Sequence, residues 1–227
     1  RQELWLVAGG IFGGSLYFFT ENTALGITQA SNVSFIICTA PLLTTILSLL
    51  FYKSEKASKG LIYGSLLALM GVGLIVFNGS FVLKISPIGD LLTLLAALSW
   101  AFYSLIIKKM AGRYPTIFIT RKIFFYGVLT ILPAFLLHPL HPDTVVLLQP
   151  AVQFNLLFLA VLASLICYVL WNVVLKQLGT VRASNYIYLN PLVTMIASFL
   201  ILDEKITLVA LGGAACIVCG VYWAEKK

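Results

Sequence analysis

Eight stretches of this chain, residues 4–25, 30–52, 60–78, 88–108, 117–137, 152–178, 181–202 and 207–224, are predominantly apolar. Each is close to the ~20 residues that a helix needs to cross about 30 Å of hydrocarbon. Lipid offers no hydrogen bonds to a backbone and a helix satisfies its own, so eight such stretches predict a bundle of membrane-spanning helices. Composition agrees: charged residues make up 10% of the 227 and hydrophobic ones 60%, with a mean hydropathy of +1.01. That is too little charge to cover a water-soluble fold of this size. It excludes a cytosolic enzyme and a nucleic-acid binder, and the fold class is an all-α integral membrane protein.

The net charge of +7 is informative through its positions. The connections between stretches fall alternately on two sides, and 13 of the 15 Lys and Arg residues lie on one of them. Only Lys84 and Lys205 lie on the other. The positive-inside rule therefore predicts that both ends of the chain and the basic loops face the cytoplasm. No linker or soluble domain interrupts the pattern.

Self-comparison finds an internal duplication. Leu25-Gly26-Ile27-Thr28-Gln29-Ala30-Ser31-Asn32 and Leu178-Gly179-Thr180-Val181-Arg182-Ala183-Ser184-Asn185 share the pattern L-G-x-x-x-A-S-N. Each copy opens a span with one proline, Pro41 or Pro191, then Thr three residues on (Thr44, Thr194) and Ser seven on (Ser48, Ser198). Each span ends at a Glu-Lys pair, Glu55-Lys56 or Glu204-Lys205, and is followed by Gly64 and Gly71 or by Gly213 and Gly220. The two Glu-Lys pairs fall on opposite sides of the membrane, so the repeats are inverted, the arrangement of secondary transporters that alternate access around a midplane site. The second repeat, 88–227, has 115 residues from Gly89 to Glu204, whereas the first, 1–80, has 54 before Glu55. About 60 residues, or two helices, are thus expected in front of this chain.

With Asn22-Thr23-Ala24-Leu25, Ala30, Pro41-Leu42, Glu55-Lys56, Gly64, Gly89-Asp90-Leu91-Leu92, Ser99-Trp100-Ala101, Pro191-Leu192 and Glu204-Lys205, the sequence resembles the EamA family of the drug/metabolite transporter superfamily. The resemblance covers essentially the whole chain as helices three to ten of ten-helix carriers built from two inverted five-helix repeats. It implies a carrier that moves a small organic solute, an amino acid or related metabolite, out of the bacterial cytoplasm across the plasma membrane, with no covalent chemistry. It also implies that the spans matching 4–25, 30–52, 88–108, 152–178 and 181–202 line the cavity.

Polar residues within the spans fall into stripes at helical spacing: Ser31, Ser34, Cys38, Pro41, Thr45 and Ser48; Ser184, Tyr188, Pro191, Thr194 and Ser198; Ser164, Tyr168, Trp171 and Asn172. A lipid-facing surface does not gather its hydroxyls and amides on one face, so these faces point inward. The Ser and Thr positions suit close helix packing. Trp100, Tyr103, Tyr168, Trp171, Asn172, Asn185 and Tyr188 are the candidate cavity lining, since rings and amides hold a ligand through mixed contacts. Pro41 and Pro191 lie at mid-span, where each removes a backbone bond to Ile37 or Ile187 and bends its helix, for flexion or for packing. Glu21, about 25 Å along its span, is the candidate coupling acid, or else an interfacial carboxylate. Asp90 reads as an N-cap.

Other motifs carry less. Cys216-x-x-Cys219 has metal spacing but sits in an apolar helix, and His138-x-x-His141-x-Asp143 is a proline-bounded outer loop, so neither a metal nor a cofactor is expected. Gly9-x-x-x-Gly13 and Gly10-x-x-x-Gly14 form a close-packing face. A second class of function, an intramembrane enzyme, finds no G-x-S-x-G or H-E-x-x-H; a third is a non-transporting partner subunit. The partners expected are a small solute and membrane lipid, with no nucleic acid, and nothing fixes the oligomeric state.

Overall fold

The computed structural model describes residues 2–52, 58–77, 86–137, 144–202 and 206–226. Every regular element among them is helical: α1 (Gln2–Gly10), α2 (Leu16–Ile27), α3 (Ala30–Ile37), α4 (Ala40–Phe51), α5 (Lys59–Phe77), α6 (Pro87–Ala111), α7 (Thr116–Leu137), α8 (Thr144–Leu147), α9 (Pro150–Leu157), α10 (Cys167–Leu178), α11 (Thr180–Asn185), α12 (Asn190–Leu202) and α13 (Leu208–Glu225). Two π segments, Ile11–Ser15 and Phe158–Ile166, join α1 to α2 and α9 to α10, and a 3-10 turn, Tyr186–Leu189, joins α11 to α12. Among the described residues, six helical stretches are long and apolar enough to cross a membrane: Ala30–Phe51, Lys59–Phe77, Pro87–Ala111, Thr116–Phe135, Pro150–Leu178 and Leu208–Glu225. The Glu-Lys pairs and the His138, His141 and Asp143 loop lie outside the described residues.

The long helix α6 is the hub. It packs against α1, α2, α3, α4, α10 and α11, which is why more of it is buried than of any other described spanning stretch. Small residues (Ala96, Ala97, Ala101) let neighbours approach, and Tyr103, Ile107 and Met110 fill the space between them. Its start is held by a carboxylate, although not in the way the sequence suggests. Ser86 is the cap residue, and Asp90, one turn inside, accepts the Ser86 backbone N–H at 3.2 Å.

On the far side of the bundle α5 and α13 lie backbone to backbone. A Cβ placed on Gly64 would stand 2.4 Å from the carbonyl oxygen of Gly220, and one on Gly71 would stand 2.5 Å from that of Gly213. The relation is reciprocal, since Gly213 meets the Gly71 carbonyl and Gly220 the Gly64 carbonyl. As numbers rise along α5 they fall along α13, so the two helices are antiparallel and their N-termini lie at opposite ends.

The α1 glycine face packs as its spacing suggests. Gly10 and Gly14 abut Gly127 of α7, and Gly13 leaves room for the ring of Tyr103. Gly179 stops α10 at φ 80° and ψ 164°, a conformation open essentially to glycine alone, and so turns the chain into α11.

Candidate functional site

Both mid-span prolines mark breaks in their helices. Residues 30–51 turn out of α-geometry at Cys38–Thr39, and Pro41 restarts the helix in the first turn of α4, where its missing N–H costs nothing. Residues 180–202 tighten into the 3-10 turn Tyr186–Leu189 just before Pro191. The bend at each proline is therefore a break completed on its N-terminal side.

These two breaks face each other across one cavity of about 250 Å³, lined by Ile37 and Ala40 from one and by Tyr186, Ile187 and Asn190 from the other. Trp100 of α6, Trp171 of α10 and Tyr17 of α2 close it. Irregular backbone at membrane depth is tolerated where it lines a cavity. Trp100 is the centre of the aromatic set. Its ring centroid lies 5.1 Å from Tyr17, 5.2 Å from Tyr103, 5.7 Å from Tyr168 and 5.8 Å from Trp171.

The polar atoms around the cavity divide into spent and unspent groups. The Tyr103 hydroxyl donates to Asn172 Oδ1 at 2.7 Å, and Asn172 Nδ2 donates to Thr120 Oγ1 at 2.9 Å, which ties α6, α10 and α7 together. The Tyr168 hydroxyl donates to the Gly13 carbonyl at 2.7 Å, and Ser99 Oγ to the Phe12 carbonyl at 2.8 Å, so two carbonyls of the first π segment are held by neighbouring helices. The indole Nε1–H groups of Trp100 and Trp171 are buried and meet no acceptor among the described residues. Buried donors cost free energy unless bonded, and the two indoles that carry these belong to the cavity wall, their Nε1 atoms enclosed within it. The Tyr17 hydroxyl donates to Glu21 Oε1 at 3.0 Å, which connects this half-buried carboxylate to a residue of the cavity wall.

The structure thus brings Trp100, Tyr103, Tyr168, Trp171 and Asn172 together. Asn185 and Tyr188 lie elsewhere: Tyr188 is buried with Cys38, Ala68, Val72, Ile217 and Val221, and Asn185 Oδ1 accepts the Ser65 hydroxyl at 3.4 Å. The stripes hold only in part. Ser34 and Thr194 are exposed, and the side chain of Ser198 lies outside the description. Tyr17, Tyr186 and Asn190 were not singled out from sequence. A signal existed for two of them: Tyr17 stands one helical turn from Glu21, and Asn190 is a mid-span amide next to Pro191. Cys219 is exposed on α13 and Cys216 half-buried, and the described residues gather no metal-binding cluster.

Comparison with known proteins places this chain among transporters by sequence. The profile of the EamA-like transporter family matches residues 1–77 and 87–224. An uncharacterized transporter of Archaeoglobus fulgidus is 30% identical over 229 residues, covering 100% of this chain and 77% of that protein. A probable amino-acid metabolite efflux pump of Salmonella typhimurium is 29% identical over 182 residues, covering 76% of this chain and 60% of its own length. A crystal structure at 19% identity shares the fold with a TM-score of 0.82, over 99% of this chain and 76% of the other.

Proposed function

Because the chain belongs to the EamA-like transporter family, we propose that it is a secondary carrier for a small organic solute, an amino acid or related metabolite, which it exports across the bacterial plasma membrane by alternating access. The observation that carries this reading is the meeting of two broken helices on one cavity with two unspent indole donors. A carboxylate or carbonyl oxygen on the solute accepts from Trp100 and Trp171 once their rings turn the N–H groups toward it, while the rings of Tyr17 and Tyr186 cover its apolar part. Contacts of this kind are strong enough to select a solute and weak enough to release it.

The proposed architecture is eight spans in two inverted repeats, 1–80 and 88–227, with both ends cytoplasmic. The antiparallel, reciprocal α5–α13 pair supports it, as do the paired breaks before Pro41 and Pro191 and the π segments in both α1–α2 and α9–α10. In this reading Glu21, bonded to Tyr17, is the coupling acid, and Asn185 and Tyr188 brace the break in 180–202 from behind.

The test is solute flux in proteoliposomes. Trp171→Phe keeps a ring but removes the N–H, and is expected to weaken apparent affinity for a carboxylate-bearing solute about tenfold, as for one lost charge-assisted hydrogen bond. Glu21→Gln is expected to remove pH dependence from the flux. Flux that neither substitution alters, from protein of unchanged thermal stability, would overturn the site.

A further inference from the structure

A second concavity lies on the opposite face of α6 from the cavity. At 3.6 residues per turn, Phe102, Leu105, Ile106 and Lys109 point roughly 160° away from Ala97 and Trp100. With Trp5, Phe12 and Tyr52 they line a groove of about 400 Å³ between the start of α1, the end of α4 and the end of α6. Phe12 and Phe102 pack at 5.2 Å and form its inner end. The Tyr52 hydroxyl donates to the Leu105 carbonyl at 3.2 Å and fixes one wall.

Charge lies at one end only. Lys109 Nζ rests 3.6 Å from the centre of the Trp5 ring, and Lys108 Nζ lies 4.3 Å from that of Tyr52. No carboxylate among the described residues pairs with Lys109. From Lys109 to Phe102, and from Trp5 to Phe12, the groove runs seven residues, about 10 Å, along the helix axes. It therefore runs along the membrane normal, with its cationic mouth where Trp and Tyr settle at the interface and its apolar length in the hydrocarbon. The mouth also lies on the side to which the alternating connections of the sequence assign 13 of the 15 Lys and Arg residues. A charged head above an apolar tail is the division of a phospholipid, and the sign of the mouth calls for an anionic one.

We propose that this groove binds one anionic phospholipid, its phosphate held at Lys109 and Lys108 and one acyl chain laid between Trp5, Phe12 and Phe102. A peptide does not fit, because the charge is confined to one end of a slot that runs into the bilayer.

Native mass spectrometry of the full chain, titrated separately with phosphatidylglycerol, phosphatidylcholine of identical acyl chains and inorganic phosphate, tests this. One equivalent of phosphatidylglycerol is expected to be retained in preference to phosphatidylcholine. Lys109→Gln, at an exposed position, is expected to lower that preference about fivefold. Ala8→Phe, which fills the groove from α1, is expected to abolish retention of both lipids at unchanged helical content. Equal retention of the two lipids indicates ordinary annular contact and overturns the site. So do a preference that Lys109→Gln leaves unchanged, retention that survives Ala8→Phe, or displacement of the lipid by inorganic phosphate alone.

Discussion

Residues 2–27 and 150–178 pass through the same local events, α-helix, π segment, α-helix, and each runs into an L-G-x-x-x-A-S-N motif. Their surroundings differ. The first π segment lies against α6 and α7, its carbonyls at Phe12 and Gly13 taken by Ser99 and Tyr168 and its glycine face filled by Tyr103. The second is exposed along all of its residues but the half-buried Ser164, and no side chain of another helix bonds to it among the described residues. Among the described residues the same departure from α-geometry is thus packed in one copy and outward-facing in the other. Neighbouring helices decide whether the widened turn becomes a joint in the packing or stays an outward-facing stretch.

Matched substitutions test that contrast. Gly13→Ala puts a Cβ within 2.2 Å of the Tyr103 ring, so it is expected to cost about 3 kcal/mol, as other overpacked sites do. Leu165→Ala, at an exposed position of the second segment, is expected to stay within about 0.5 kcal/mol. Thermal unfolding in detergent reads both, and similar shifts would break the comparison. A smaller effect is expected from Tyr168→Phe, which leaves the buried Gly13 carbonyl without its side-chain donor, at about 1–2 kcal/mol. Ser164→Ala in the exposed segment is the control, and a shift there as large as that of Tyr168→Phe would show that the second segment is also held.

The smallest effect concerns how the first segment is anchored below its π turn. Glu3 accepts from Lys122 Nζ at 2.6 Å and from the Tyr126 hydroxyl, and these bonds hold its carboxyl below the ordinary carboxylate range. A carboxylate with a lowered folded-state pKa stabilises at pH values above its unfolded pKa, and that contribution fades as pH falls through the folded value. The melting-temperature difference between the wild-type chain and Glu3→Gln is therefore expected to be small at neutral pH and to vanish in acid. A difference that grows in acid would mean that the pair does not anchor α1 to α7.

Much of the helical layout was legible because hydrophobic length is a coarse, local signal. The α6 segment 88–108 extends only to Pro87–Ala111, and 60–78 becomes Lys59–Phe77. The breaks were legible as prolines but not as geometry: a bend was expected at Pro41, and the chain instead leaves the helix at Cys38–Thr39 and starts again. That interruption shifts the rotational phase, which is why Ser34 is exposed although Thr45 and Ser48 of the same stripe are buried, and why off-stripe Thr44 is buried too. The π segments have no composition signature, because an i to i+5 bond changes the backbone ladder and leaves the apolar side-chain pattern of the stretch as it is. Of the candidate lining, the members on α6 and α10 meet because both helices are continuous there. Tyr17, Tyr186 and Asn190 join them through turns whose phase a regular spacing does not carry.

The glycine seam between α5 and α13 has a mechanical consequence. The two backbones interlock at two notches seven residues apart on each helix, about 10 Å. Rolling one helix over the other would have to lift both notches at once, and sliding would drive a carbonyl into a Cα. The pair therefore behaves as a single stiff spar. Any rearrangement of the bundle has to swing the other helices around it, so the amplitude of motion is expected to grow with distance from the seam and to be smallest at its two glycine notches.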